Sequence, residues 1–405
     1  MSTKCARQHA GPKGVAGEAV VAIKIKKARA GRLGILSLAA LAFCSLSLLA
    51  AVLPEDRFDA LYHSYEGGGI KVTGPSYLLR KHLGPTSIWG NYYVDAISSA
   101  SIDVVTSATP YKERRIEKSA GIDYLQDKTL MGLAFTTSKE RDYDSNTASF
   151  SISQDMFGDL STVSLSYSIG RDKVGRRNQP DFSQDLDRYN FGVGVSQIVT
   201  RNLLLNLNWE TITNEGFLNN PYRSVRYLDS SSVKGYSFEP EVYPRTRTSN
   251  AVSLRGRYFL PYRAALHAGY RWFSDSWGIS ADTFEAGYTH TTAGGWIVDL
   301  DYRLYRQNHA DFYSDLFSRQ DAQNFMARDK QLATFTTTAV GVGVSYELTP
   351  ASKRFIDKGS LTFSFDHIRY AYDDFRDLRA TTAPGKEPLY GFTANVIQLY
   401  MSLWY

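Results

Sequence analysis

The chain has 405 residues and is rich in Tyr (27), Phe (21) and Gly (31), with only two Cys. At 43% hydrophobic it is too polar for a bundle of membrane helices, and its aromatic and glycine content is unlike that of an ordinary soluble enzyme. The formal charge of +5 leaves no basic balance for nucleic acid to explain: residues 1–51 hold eight of the 46 Lys and Arg but one of the 41 Asp and Glu, so the remainder stands at 38 against 40, about −2.

Residues 1–51 read as a secretory signal peptide. Lys4 to Arg32 form a long basic region, and an apolar run from Leu33 to Leu53 follows, stopped by Pro54-Glu55-Asp56. Cleavage is expected after Ala50 or Ala51. An uncleaved anchor is the alternative, because about 20 apolar residues can span a bilayer, but no soluble domain follows for it to hold. A lipoprotein signal at Cys44 is disfavoured by the large Phe43 before it. Both cysteines, Cys5 and Cys44, lie in this leader, so residues 52–405 are free of thiols, which suits passage through an oxidising periplasm.

From residue 52 onward the dominant pattern is period-two alternation in segments of about ten residues. Val163, Leu165, Tyr167 and Ile169 alternate with serines and Thr162, and Trp296, Val298, Leu300, Tyr302 and Leu304 alternate with Asp299, Asp301 and Arg303. Val340, Val342, Val344 and Tyr346 alternate with Gly341, Gly343 and Ser345. Alternation puts the two classes on opposite faces of a strand. Strands are expected at 71–81, 86–98, 116–126, 128–138, 146–154, 160–170, 187–198, 202–213, 248–260, 262–274, 279–291, 295–306, 333–348, 358–371 and 391–405. An even number is needed if both ends lie in the periplasm, and residues 57–66 are the candidate for the missing strand. The expected fold is all-β: a transmembrane, antiparallel, up-and-down β-barrel of about 16 strands, with 14 the alternative. Short turns are expected near Gly84-Pro85, Gln126-Asp127, Phe157-Gly158, Thr200-Arg201, Pro261-Tyr262 and Ala293-Gly294, on the periplasmic side. Long extracellular loops are expected at 99–115, 139–146, 171–186, 214–246, 307–331 and 372–389.

The last strand carries an apolar face, Ile397, Leu399, Met401, Leu403 and Tyr405. That pattern fits the signal by which outer-membrane proteins are presented to the barrel-assembly machinery, where a strand with an aromatic end can pair at an open seam. Inside the barrel, Arg255, Arg257, Arg271, Glu285, Asp299, Asp301 and Arg303 are expected to face the lumen. Adjacent strands would set cations beside anions, either as a transverse field that orients a polar solute or as pairs that brace the interior. The pairing is favoured. The loop at 307–331, with four aspartates and four aromatic residues, either folds inward as a constriction or packs with its neighbours. It and the loop at 214–246 read as ordered structural loops. The Tyr372-Asp373-Asp374-Phe375 run is expected to be a solvated turn rather than a cation site.

The residues Asn146 to Gln154 with Phe157-Gly158-Asp159, Asn219 to Asp229, Tyr243 to Asn250, Ala310 to Phe317 and Asp373 to Arg376 resemble those of a bacterial family catalogued as the domain of unknown function 3570. The resemblance implies an outer-membrane barrel and nothing about a reaction. Members of that family are neighbours of periplasmic redox and flavin-transfer genes, which hints at a role beside electron transfer.

The expected function is therefore a pore or structural barrel with a charged lumen in the outer membrane of a Gram-negative bacterium. Alternatives are a barrel that scaffolds a periplasmic or surface partner, with the redox link that the family resemblance implies, and, ranked lower, a surface-loop hydrolase. No catalysis is expected: the histidines are scattered, and neither a Gly-x-Ser-x-Gly elbow nor a His-Glu-x-x-His motif occurs. No cofactor or metal is expected. The expected partners are outer-membrane lipid and the assembly machinery, with no nucleic acid.

Overall fold

The computed structural model describes residues 52–99, 111–177, 179–348 and 355–405. The leader and both cysteines lie outside the described residues. Sixteen antiparallel strands close into one barrel. In chain order they begin with β1 (Arg57–Gly67), β2 (Ile70–Leu83), β3 (Thr86–Ser99), β4 (Tyr111–Gln126), β5 (Thr129–Lys139), β6 (Tyr143–Met156), β7 (Ser161–Arg176), β8 (Gln179–Thr200) and β9 (Leu203–Gly216). Two short strands, β10 (Ser224–Leu228) and β11 (Tyr236–Pro240), form a separate hairpin. The wall resumes with β12 (Thr246–Leu260), β13 (Ala264–Asp275), β14 (Ser280–Thr291), β15 (Trp296–Gln307), β16 (Phe335–Leu348), β17 (Lys358–Arg376) and β18 (Leu389–Trp404).

Each wall strand pairs with the next wall strand in the chain, β9 with β12 across the separate hairpin, and β18 closes on β1 from Arg57↔Trp404 to Gly67↔Ala394. The segment that parity demanded is therefore β1, the strand that seals the barrel. The alternation explains the wall. Leu133, Phe135, Phe150, Leu165, Tyr167, Phe191, Leu254, Leu300, Val340 and Phe363 are exposed on its outer face, while the residues between them point inward. Aromatic side chains gather on that outer face near the short turns: Tyr124, Tyr258, Tyr262, Trp296, Tyr346 and Phe157 are all exposed there. Trp296 and Tyr346 pack with ring centroids 4.7 Å apart.

The expected short turns all lie at one end, together with Arg57 and Trp404, and several use the left-handed region: Asp127 (φ 51°), Phe157 (φ 53°) and Arg263 (φ 60°). The other end carries the long loops. Two of the expected loops are corrected. Residues 171–186 are the paired ends of β7 and β8, in register to Gly175↔Ser183 and, after a register shift, joined again at Arg176↔Gln179, and 139–146 holds only a tight turn before β6. The physical reason is common to both. Beyond the apolar band the outward face need not be hydrophobic, so the alternation fades while backbone pairing continues. The 22 residues of β8 span roughly 70 Å if fully extended, far more than the 9–11 residues a transmembrane strand needs, so the β7–β8 hairpin projects. Of the expected loop at 99–115, residues 111–115 belong to β4 and 100–110 lie outside the described residues.

Candidate functional site

The inner wall is lined by ion pairs, many of which skip a strand. His63 on β1 reaches Asp95 on β3, Nε2 to Oδ1 2.8 Å, across Gly74 of β2. A side chain on Gly74 would place its Cβ 1.9 Å from the Val94 carbonyl oxygen. On the far side Arg115 Nη2 lies 3.1 Å from Asp95 Oδ2. Arg80 on β2 donates to Asp123 on β4 at 2.6 Å, over the small Ser87, to which it also donates at 3.0 Å. Arg188 on β8 donates to Asp172 on β7 and to Ser145 on β6, both at 2.8 Å, above Gly170. These groups are buried. A buried charge is tolerable only when it is paired and hydrogen-bonded.

The same device sets the expected lumen charges. Arg255 on β12 donates to Glu285 on β14 at 3.0 Å across Gly269 of β13, and Arg303 on β15 lies 3.5 Å from the other oxygen of Glu285. One carboxylate thus stands between two guanidinium groups. His267 on β13 lies 3.1 Å from Asp301 on β15, across Gly287 of β14. A Cβ on Gly287 would meet the His267 ring at 2.2 Å and Asp301 Oδ1 at 2.7 Å. Asp299 accepts from Thr289 Oγ1 at 2.7 Å. Arg257 sits opposite His267 in the register, and Arg271 lies over the Phe273 ring at 5.6 Å. The structure thus joins Arg255, Glu285 and Arg303 directly and Asp301 to His267, while Arg271 belongs with the aromatic residues nearer the loops.

The two halves of the wall differ in hydration. The side chains of His63, Asp95, Arg115 and Arg188 are 4% exposed or less, whereas those of Arg255 and Asp301 are 48% and 51% exposed. Water therefore reaches the interior beside β12–β15. The pairs on β1–β8 were not anticipated from the sequence. A usable signal existed for the His63–Asp95 pair alone: the inward-phased Gly74 in the strand between them.

Above the lumen the long loops interlock into a cap. Residues 217–245, which include the β10–β11 hairpin, join the loop at 308–334 through paired backbone bonds, Leu228 N to Phe317 O and Phe317 N to Arg226 O at 2.9 Å each. Val242 and Met326 exchange two more. Arg226, fully buried, donates at 2.5 Å to Asp315 in the second loop and at 2.5 Å to Glu387 in the loop between β17 and β18. Arg328 donates to Asp315 at 3.0 Å and lies over the Phe375 ring at 4.4 Å. Tyr243, Trp277 and Phe312, from three connections, pack with centroids 5.2–5.5 Å apart.

The cap residues share one hydrophobic cluster with inward-facing wall residues near the rim, including Tyr65, Phe273, Tyr305, Tyr370 and Tyr390. The loop at 307–331 thus packs against its neighbours and the inner rim together. The Tyr372–Phe375 run is not a solvated turn: it ends β17, Phe375 is buried, and Asp374 accepts from Thr334 N at 2.8 Å and faces His309 at 2.9 Å. Glu241 in the cap accepts from Tyr243 Oη at 2.7 Å and from Arg328 N at 2.8 Å. Burial pushes its carboxyl up to about 7, against the pull of Arg223, with Asp329 adding to the rise.

The solved structures to which the chain is similar have low identity to it. A bacterial polysaccharide outer membrane secretin is 8% identical, with a TM-score of 0.47 over 88% of this chain and 100% of its own. Pseudomonas aeruginosa OccK2 (OpdF), solved in complex with glucuronate, is 9% identical, with a TM-score of 0.42 over 86% and 98%. A loop-deleted OmpT of Vibrio cholerae is 9% identical, with a TM-score of 0.38 over 87% and 99%. No curated protein matches the sequence. The family model described as "Protein of unknown function (DUF3570)" matches residues 71–359, more than half of the chain, and this chain belongs to that family.

Proposed function

We propose that this barrel sits in the bacterial outer membrane, with its short turns in the periplasm and its cap outside, and acts as a restricted conduit for small polar solutes. The observation that carries the reading is the pair of opposed surfaces: an outer wall of exposed apolar side chains and an inner wall on which Arg255 and Asp301 stay half exposed to water. An apolar outer face and a polar interior are what a closed barrel in lipid requires. The Arg255–Glu285–Arg303 group holds more positive than negative charge, which favours small anions over cations in transit. The reading assigns the barrel no catalytic step and no cofactor.

Refolded barrel in a planar bilayer tests it. Discrete, salt-dependent conductance steps with anion preference are expected, and a folded, inserted barrel that shows no steps would sink the conduit. A second reading, a scaffold for a surface partner, draws on the projecting β7–β8 hairpin. Cross-linking in native membranes that captures one partner on that hairpin, lost when the hairpin is shortened, would favour it.

A further inference from the structure

We propose that the outer face of β4–β7, at the loop end, holds a binding site for the phosphate groups of an anionic outer-leaflet glycolipid. The proposal rests on the membrane placement above and not on conductance. On these strands the apolar outer face ends at one register row. Ala120, Phe135, Ala148, Ile169 and Tyr189 lie side by side across β4 to β8. One row nearer the loops the aligned residues are Lys118, Thr137, Asn146 and Arg171, and the next row holds Ile116, Lys139, Asp144 and Lys173. Arg114 continues the outward face of β4.

Arg114, Lys118, Lys139, Arg171 and Lys173 are all exposed, and a single carboxylate, Asp144, stands among them. Asp185 and Asp187 on β8 bound the patch on one side. Among the described residues none of the five cations makes a side-chain ion pair. Inside, Arg80, Arg115, Arg188 and Arg255 are each matched to a carboxylate; outside, five cations face three carboxylates, Asp144 opposite Lys139 and Lys173 and Asp185 and Asp187 opposite Lys173 and Arg171, and the patch keeps an excess of positive charge.

Its position selects the partner. Neighbouring strands are about 4.8 Å apart, so Lys139 and Lys173 arise roughly 10 Å apart and Lys118 and Arg171 roughly 14 Å apart. Long flexible side chains can close on a phosphorylated head group across that span, while its acyl chains lie on Phe135, Ile169 and Tyr189 below. Lysines and arginines at the membrane surface attract anionic lipid, and a guanidinium pairs with phosphate in a bidentate fork.

The test uses the full barrel in dodecylmaltoside micelles, with diphosphorylated lipid A as the probe and native mass spectrometry as the readout. Wild-type protein is expected to retain lipid A. A variant carrying Lys118→Gln, Arg171→Gln and Lys173→Gln should bind it at least tenfold more weakly, and a variant with Lys118→Arg and Lys173→Arg should keep it. Monophosphorylated lipid A should bind more weakly than the diphosphorylated form. Equal binding by wild type and the glutamine variant, or equal retention of phosphatidylcholine, overturns the site. Flotation with phosphatidylcholine vesicles is read on the same samples. A chain that does not float overturns the membrane placement and this proposal with it, whereas a chain that floats but shows no charge-dependent lipid binding loses only the site.

Discussion

Arg226 is the largest fully buried side chain of the described residues, and its role is to neutralise two carboxylates from two other loops. Removing one member of a buried ion pair typically costs about 3–5 kcal/mol, because the partner is left charged and dry. Arg226→Ala should therefore loosen the cap while the barrel, which does not depend on it, still folds. Limited proteolysis should cut the variant within 217–245 or 308–334 at protease levels that leave the wild type intact.

Glu241 makes the cap sensitive to pH. Its folded carboxyl is raised from 4.5 to about 7, so between those values the folded cap binds more protons than the opened one. The stabilisation is fully present below about 4.5 and is lost as the pH rises through about 7. Wild-type cap should become easier to cleave over that window, relative to Glu241→Gln, whose susceptibility should stay flat. Neither residue stood out in the sequence. Asp315 and Asp329 were visible as charges in a loop, but Glu387 and Glu241 matter only because distant loops close over them.

At the scale of the element, a recurring unit of the inner wall is a charge on one strand, a glycine on the next and the opposite charge on the third, as in His63–Gly74–Asp95, Arg255–Gly269–Glu285 and His267–Gly287–Asp301. Gly287→Val should expel the His267 ring from its place above β14 and separate it from Asp301. Overpacking of this kind costs about 1–3 kcal/mol, to be read as a lower unfolding temperature of the folded band on unheated gels. Glu285→Gln does the opposite kind of damage: it leaves the shape and removes the carboxylate between Arg255 and Arg303. Anion preference should rise, seen as a larger reversal potential in a salt gradient, and no change would remove these residues from the conduction path. The strands themselves were legible because outward-facing and inward-facing residues alternate. The ends of β7 and β8 were not, because outside the apolar band both faces are polar and the periodicity carries no signal.

For the whole molecule, the barrel and the cap are separable structures. The wall is closed by continuous backbone pairing from β1 through β18, whereas the cap is held by a few backbone bonds between its loops, side-chain ion pairs and one shared aromatic cluster. Deleting residues 311–331 should leave a folded barrel and increase its unit conductance, because the mouth loses the loop that packs across its inner rim. An unchanged conductance would mean that solute passes beside the cap and not through it.

The sequence alone determined the class of fold, the parity that demanded β1 and the identity of the outward and inward faces, because each follows from the local period-two chemistry that the two faces of a closed wall impose on neighbouring residues. It also marked the charged positions of β12–β15. Which charges meet was decided only by the closed barrel. Partners such as His63 and Asp95, or Arg255 and Glu285, lie two strands apart and find each other across a glycine, and the order of strands around the wall has no local signature. The cap is the extreme case: Arg226 and Glu387 are 161 residues apart in the chain, and only loop packing over the rim gives either of them a reason to be buried.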